Sequence, residues 1–211
     1  MDCLLQAVFI SDSGEINTKN KYMRKIVLFL HQSLDGYCAT PEGGLEWIPY
    51  NEDLQKYADR IVQTVGSPLY GRVTYELMKS YWPAVLHDAT ATKREHEHAA
   101  WIENVEKIVF STSSIPQDWN NTRVISKNIQ EEVQRLKEGN GKDLVIFGSP
   151  TLARSLMDMN LIDEFQFTVS PVILGEGLSF IREIDKRANL ELIGSEQIKG
   201  GVVGLHYKIV K

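Results

Sequence analysis

Three features of the sequence predict an α/β fold built on a mixed, mainly parallel sheet with a C-terminal antiparallel hairpin. The first is Asp143-Leu-Val-Ile-Phe-Gly-Ser-Pro-Thr-Leu-Ala-Arg-Ser-Leu156, where a short apolar run stops at Gly148 and helical spacing begins at once. The unbroken run Leu144 to Phe147 suits a strand buried on both faces, as in a parallel sheet. Pro150 suits the first turn of a helix, because its φ is already helical and no N–H is needed there. The second feature is Ser67-Pro-Leu-Tyr-Gly-Arg-Val-Thr-Tyr-Glu76, a junction of the same kind ending at Gly71. The third is Gly200-Gly201 between two apolar runs, a hairpin signal because tight hairpin turns need positive φ.

The elements follow in order. Residues 1–22 stand apart: Cys3 to Ile10 is apolar except for Gln6, but too short to span a membrane. The basic start and small-residue cleavage site of a secretory signal are missing there, and the stretch from Ser11 to Tyr22 is polar. We read 1–22 as a non-core extension that could add an edge strand, and 23–211 as one domain. Ile26 to His31 forms the first expected strand. Asn51 can cap a helix from about Glu52 to Val65, with Leu54, Tyr57, Ala58, Ile61 and Val65 on one face. Residues 72–80 have a helical pattern, and Tyr81-Trp-Pro83 is expected to break it. A helix near 92–104, strands at 107–111 and 123–126, and a helix near 129–138 stopped by Gly139-Asn-Gly141 come next. Strand 144–147 and helix 150–159 end the alternation, and 163–173, 190–198 and 202–210 read as strands.

Composition sets the function classes. The 211 residues hold 43% hydrophobic and 24% charged side chains, ordinary values for a soluble globular domain. A formal net charge of -5 disfavours nucleic-acid binding, which depends on a basic face. Two cysteines, Cys3 and Cys38, indicate neither a disulfide framework nor a thiolate zinc site, and a reducing cytoplasm fits best. In Arg94-Glu-His-Glu-His98 the two histidines are two apart and point to different sides of a helix, so a solvated helix face is expected rather than a metal site. The zinc-deaminase signature is absent.

The strand ends carry the chemistry. Glycine lets backbone approach a ligand closely, and a helix start attracts anions. Arg72 offers a planar fork of donors to phosphate oxygens, and Thr74 can cap the helix or touch a phosphate. Ser111-Thr-Ser-Ser114 adds hydroxyl donors at a third strand end. Three such ends suggest a dinucleotide across the carboxyl edge of a sheet, although the G-x-G-x-x-G fingerprint is absent.

On these residues the chain resembles the dihydrofolate reductase-like superfamily, and within it the reductase domain of the bacterial riboflavin-biosynthesis deaminase-reductase and its stand-alone relatives. The resemblance runs from about Met23 to Lys211 through Ser33-Leu-Asp-Gly-Tyr37, Gly71-Arg-Val-Thr-Tyr-Glu76, Phe147-Gly-Ser-Pro-Thr-Leu152, Leu161-Ile-Asp-Glu-Phe165 and Ser170-Pro-Val-Ile-Leu-Gly-Glu-Gly177. It implies a three-layer α/β/α fold and NADPH as cofactor, bound by Ala39, Gly71, Arg72, Thr74, Ser111, Thr112, Ser113, Gly148, Ser149, Thr151 and Leu152. Gly148-Ser149 stands where the superfamily usually has two glycines. The implied activity is hydride transfer to a pyrimidine- or pteridine-like heterocycle, or an opened sugar attached to one, as in 5-amino-6-(5-phosphoribosylamino)uracil reductase. Dihydrofolate reductase and a nucleotide-binding protein without catalysis are the alternatives. Asp53-Leu-Gln-Lys-Tyr57 resembles the helix that carries the pteridine-binding acid, making Asp53 a candidate proton donor. His31 and Asp35 are the other candidates, while a first-turn aspartate and an Asp-Gly turn also have structural uses. A homodimer is the expected assembly, with no membrane or nucleic-acid partner.

Overall fold

The computed structural model describes residues 23–184 and 187–210, so the 1–22 extension lies outside the described residues. From the N-terminal side come β1 (Ile26–Ser33), β2 (Tyr37–Ala39), α1 (Glu52–Thr64), β3 (Val65–Gly71) and α2 (Arg72–Val85). Next are α3 (Lys93–Asn104), β4 (Lys107–Phe110), β5 (Thr122–Ile125), α4 (Ile129–Glu138), β6 (Asp143–Phe147) and α5 (Pro150–Asp158). The tail adds β7 (Glu164–Ser170), β8 (Leu178–Ser179), β9 (Leu190–Ile198) and β10 (Val202–Ile209).

Eight strands form one sheet in the order β5-β4-β3-β6-β1-β7-β10-β9, and β2 pairs with β8 beside it. β1 lies between β6 and β7, parallel to both, whereas β10 runs antiparallel to β7 and to β9. The β9–β10 turn is Gly200-Gly201, with φ of 87° and 80°, as the glycine pair predicts.

Alternation along the central strands creates two buried faces. Ile26, Leu28 and Leu30 of β1 pack with Leu136 of α4 and Leu152 and Leu156 of α5. Phe29 points the other way, to Leu54, Tyr57 and Ile61 of α1. On that second face Tyr70 and Val109 meet Tyr75 of α2 and Ile102 of α3. Burying each such side chain stabilises by about 1.5–3 kcal/mol, and doing so on both faces makes three α/β/α layers. Gly204 permits the close approach of α1 to β10, since a Cβ there would sit 2.7 Å from the Tyr57 ring.

Local signals explain most boundaries. Asn51 Oδ1 accepts hydrogen bonds from the Asp53 and Leu54 N–H groups, both 3.0 Å, and starts α1. Thr92 and Glu95 form a reciprocal capping box that starts α3. One expectation needs correction: α2 runs through Pro83 to Val85 instead of breaking at Tyr81-Trp-Pro83. Pro83 falls in the last turn, where a single late backbone bond is lost. Packing of the Trp82 ring on His98 of α3, with centroids 4.2 Å apart, supports that turn. The expected strand over 163–173 is shorter, closing at Ser170 before Pro171. Among the described residues no helix is long and apolar enough to cross a membrane.

Candidate active site

A cleft of about 1310 Å³ opens at the carboxyl ends of β1, β6, β3 and β4. Its floor is the meeting point of two helix starts. α2 begins after Gly71 and α5 after Ser149, and neither start has a side-chain cap. The first-turn N–H groups of such a start look outward for an acceptor. In α5, Thr151 and Leu152 precede the first intrahelical bond, from Ala153 N–H to the Ser149 carbonyl at 3.0 Å.

Gly148 and Ser149 build this start with consecutive left-handed residues, φ 60° and 51°. The Gly148 N–H donates to the Phe29 carbonyl at 3.0 Å, tying the turn to β1. Ser149 Oγ accepts from the Gly71 N–H at 3.1 Å, which locks the two helix starts together. A hydroxyl that accepts this bond still has its own proton to give. A Cβ added to Gly148 would meet no atom within 4 Å, whereas one on Gly71 would lie 2.8 Å from Ser149 Oγ. Gly148 therefore borders open cleft, and Gly71 borders the partner turn.

The residues expected to hold cofactor converge here. Gly71, Arg72 and Thr74 line the cleft from α2, and Gly148, Ser149, Thr151 and Leu152 line it from α5. Ser111, Thr112 and Ser113 border it after β4, and Ala39 borders it from β2. Arg72 Nη1 contacts both carboxylate oxygens of Glu76, at 3.0 and 2.9 Å, with both side chains 47% exposed. Such an exposed pair is weak and can exchange partners.

The three candidate proton donors separate. His31 lines the cleft, its ring edge-on to Phe29 and Tyr50 with centroids 4.9 and 5.6 Å away. Its Nδ1 lies 2.5 Å from Thr168 Oγ1, and burial holds the imidazole down at about 4, hence neutral at pH 7. Asp35 does not line the cleft. Its carboxylate accepts from Ser33 Oγ (2.7 Å), Leu174 N–H (3.1 Å) and Gly175 N–H (2.8 Å), clamping the β1–β2 turn to the loop after β7. Desolvation works against its charge, but those hydrogen bonds outweigh it and hold the carboxyl at about 2. Asp53 also lies outside the cleft lining, with its side chain 47% exposed and 3.9 Å from Lys56 Nζ.

Several lining residues escaped the sequence reading. Tyr50, half-exposed, borders the cleft beside His31, and burial of its phenol group pushes its pKa up. Gln55 and Asp59 of α1 face Arg94 of α3, which donates to Gln55 Oε1 at 3.1 Å and pairs through Nε with Asp59. His98 sits between Trp82 and Trp101, with centroids 4.2 and 5.3 Å from its ring, and burial holds it at about 4. This corrects the solvated-face expectation for His98. The signal was the four-residue spacing of Gln55 with Asp59 and of Arg94 with His98, which puts each pair on one helix face. No group of His, Cys, Asp and Glu among the described residues could hold a metal ion.

The fold is dihydrofolate reductase-like. The RibD C-terminal domain family matches residues 24–204, and the chain belongs to that family. It is 31% identical over 192 residues to the uncharacterized protein YyaP of Bacillus subtilis, covering 90% of this chain and 97% of that one. A putative riboflavin biosynthesis protein from Shewanella sp. PV-4 has a similar structure, with TM-score 0.67 at 20% identity over 89% of this chain and 99% of that one. Enterococcus faecalis dihydrofolate reductase, complexed with NADP(H) and RAB-propyl, superposes with TM-score 0.54 at 17% identity over 89% and 97% of the two chains.

Proposed function

We propose that the protein is an NADPH-dependent reductase that delivers hydride to a pyrimidine- or pteridine-like heterocycle or to an opened sugar attached to one. The observation that carries this reading is the pair of uncapped helix starts joined through Ser149 Oγ, beside a glycine whose missing side chain leaves open cleft. That cradle fits a pyrophosphate, because backbone N–H groups and the positive helix ends favour an anion. Arg72, with Ser111, Thr112 and Ser113, supplies donors for a 2′-phosphate on the adenosine side. When bound, the nicotinamide supplies the hydride.

The chain's own task is to orient the rings, exclude water and bring a proton. His31 is the candidate that lines the cleft. Neutral at pH 7, it can donate or accept one hydrogen bond there and relay a proton drawn from water, with Thr168 holding the ring in place. Asp35, ionised in its clamp, shapes the loops instead. A cytoplasmic homodimer remains part of this proposal.

A screen of pterins and ribosylaminopyrimidines, monitored by loss of nicotinamide absorbance, tests the reading. Turnover of at least one compound is expected. Tight NADPH binding with no turnover across the panel would favour a nucleotide-binding protein without catalysis.

A further inference from the structure

The end of the cleft away from the two helix starts is formed by α1, α3 and the last turns of α2. Its walls are mostly apolar: Tyr50, Leu54, Ala58, Val62 and Trp82 line it, together with His98. An aromatic ring laid between such walls loses water on both faces, which suits a planar heterocycle.

The charges there are arranged differently from those at the cofactor end. Arg94 is the cation, and its Nε pairs with Asp59 while its Nη1 donates to Gln55 at 3.1 Å. The Arg94 and Asp59 side chains are only 28% and 34% exposed, so this pair is better shielded than Arg72–Glu76 and exchanges less readily. Glu95 adds a second carboxylate to the lining, kept ionised by hydrogen bonds from the Thr92 hydroxyl and N–H, both 2.7 Å. One cation thus stands against two anions. His98 contributes no charge at pH 7, because burial between two indoles keeps it neutral. No lysine lines the cleft among the described residues.

We infer that this end of the cleft takes an uncharged planar heterocycle without a phosphate group, unlike the phosphoribosyl substrate implied by the sequence resemblance. A phosphate dianion would meet Asp59 and Glu95 and would have to displace Asp59 from Arg94 to gain its own partner. The new like-charge contacts and the loss of a partly shielded ion pair both penalise it. The inference rests on the reductase reading and narrows its substrate class.

The test uses the full chain saturated with NADP+, so that no reduction occurs during titration. NADP+ binding is measured first. Its failure would overturn the reductase reading and this inference with it. Calorimetric titration then compares 5-amino-6-ribosylaminouracil with its 5′-phosphate. The riboside should bind at least tenfold more tightly. Equal or tighter binding of the phosphate, or no binding of the riboside at millimolar concentration while NADP+ binds normally, would overturn the substrate class alone. Asp59→Asn should free Arg94 and raise affinity for the phosphorylated compound at least fivefold, and no gain in a folded variant would also count against the inference. If that variant does not fold, the affinity ratio in the unmodified protein decides.

Discussion

Gly148→Ala separates binding from folding at the proposed pyrophosphate turn. Gly148 has φ 60°, and an added Cβ would touch nothing within 4 Å, so the methyl group causes no clash. The folding cost is then the left-handed backbone alone, about 1–2 kcal/mol for an L-residue. In a chain of this size that lowers Tm by roughly 2–8 °C. The protein would remain folded at 25 °C if its stability is the usual 5–15 kcal/mol. Binding should suffer more. The methyl projects into the cleft where phosphate would face the Thr151 and Leu152 N–H groups, and each charge-assisted hydrogen bond lost costs about 1.5–3 kcal/mol. NADPH affinity should therefore fall at least tenfold to a hundredfold. Nicotinamide fluorescence titration at 25 °C, beside a calorimetric melt, reads both effects. Unchanged NADPH affinity together with the expected drop in Tm would refute the placement of the phosphates.

Arg72→Ala should reduce preference for NADPH over NADH by about tenfold to a hundredfold, and equal discrimination in parent and variant would remove Arg72 from the 2′-phosphate site. Asp53→Asn should leave turnover near that of the parent, because Asp53 lies outside the cleft lining, whereas His31→Phe should lower kcat with little change in NADPH affinity. A large kcat loss in Asp53→Asn would return the proton to α1. Acid should destabilise the fold through His98. Held at about 4 against an ordinary 6.5, the folded protein binds fewer protons than the unfolded chain, so stability is full above about pH 6.5 and falls as pH drops toward 4. Complete titration of this one group is worth at most about 3 kcal/mol, and denaturant melts at pH 7 and 4.5 should show a smaller loss in His98→Gln than in the parent. The same loss in both would contradict a buried neutral His98. Light scattering at micromolar concentration should give a dimer mass, and a monomer mass would refute the homodimer.

The sequence exposes the proposed cofactor half of the cleft more clearly than the proposed substrate half, for a physical reason. Gly71, Gly148 and Pro150 act locally: each marks a backbone conformation that nearby residues can be read against. Gly200-Gly201 does the same for the hairpin. The other end depends instead on α1 meeting α3 across a sequence separation of 39 residues between Gln55 and Arg94. Each helix carries its polar pair at ordinary surface spacing, and only packing turns Asp59 toward Arg94 and His98 toward Trp82 and Trp101. Asp53 failed as a guide to the cleft because its neighbour Leu54, one position on, takes the inward face of α1. The β2–β8 pair is two or three residues per strand, too short to leave a period. Pro83 misled because a proline's local cost says nothing about the neighbouring helix that offsets it.

A crystal structure of the protein grown with NADPH would locate the cofactor outright. The pyrophosphate is expected between the starts of α2 and α5, against Gly148 and Ser149, with the adenosine 2′-phosphate at Arg72 and the nicotinamide beside His31. A cofactor bound elsewhere, or a cleft left without NADPH at millimolar concentration, would contradict this placement.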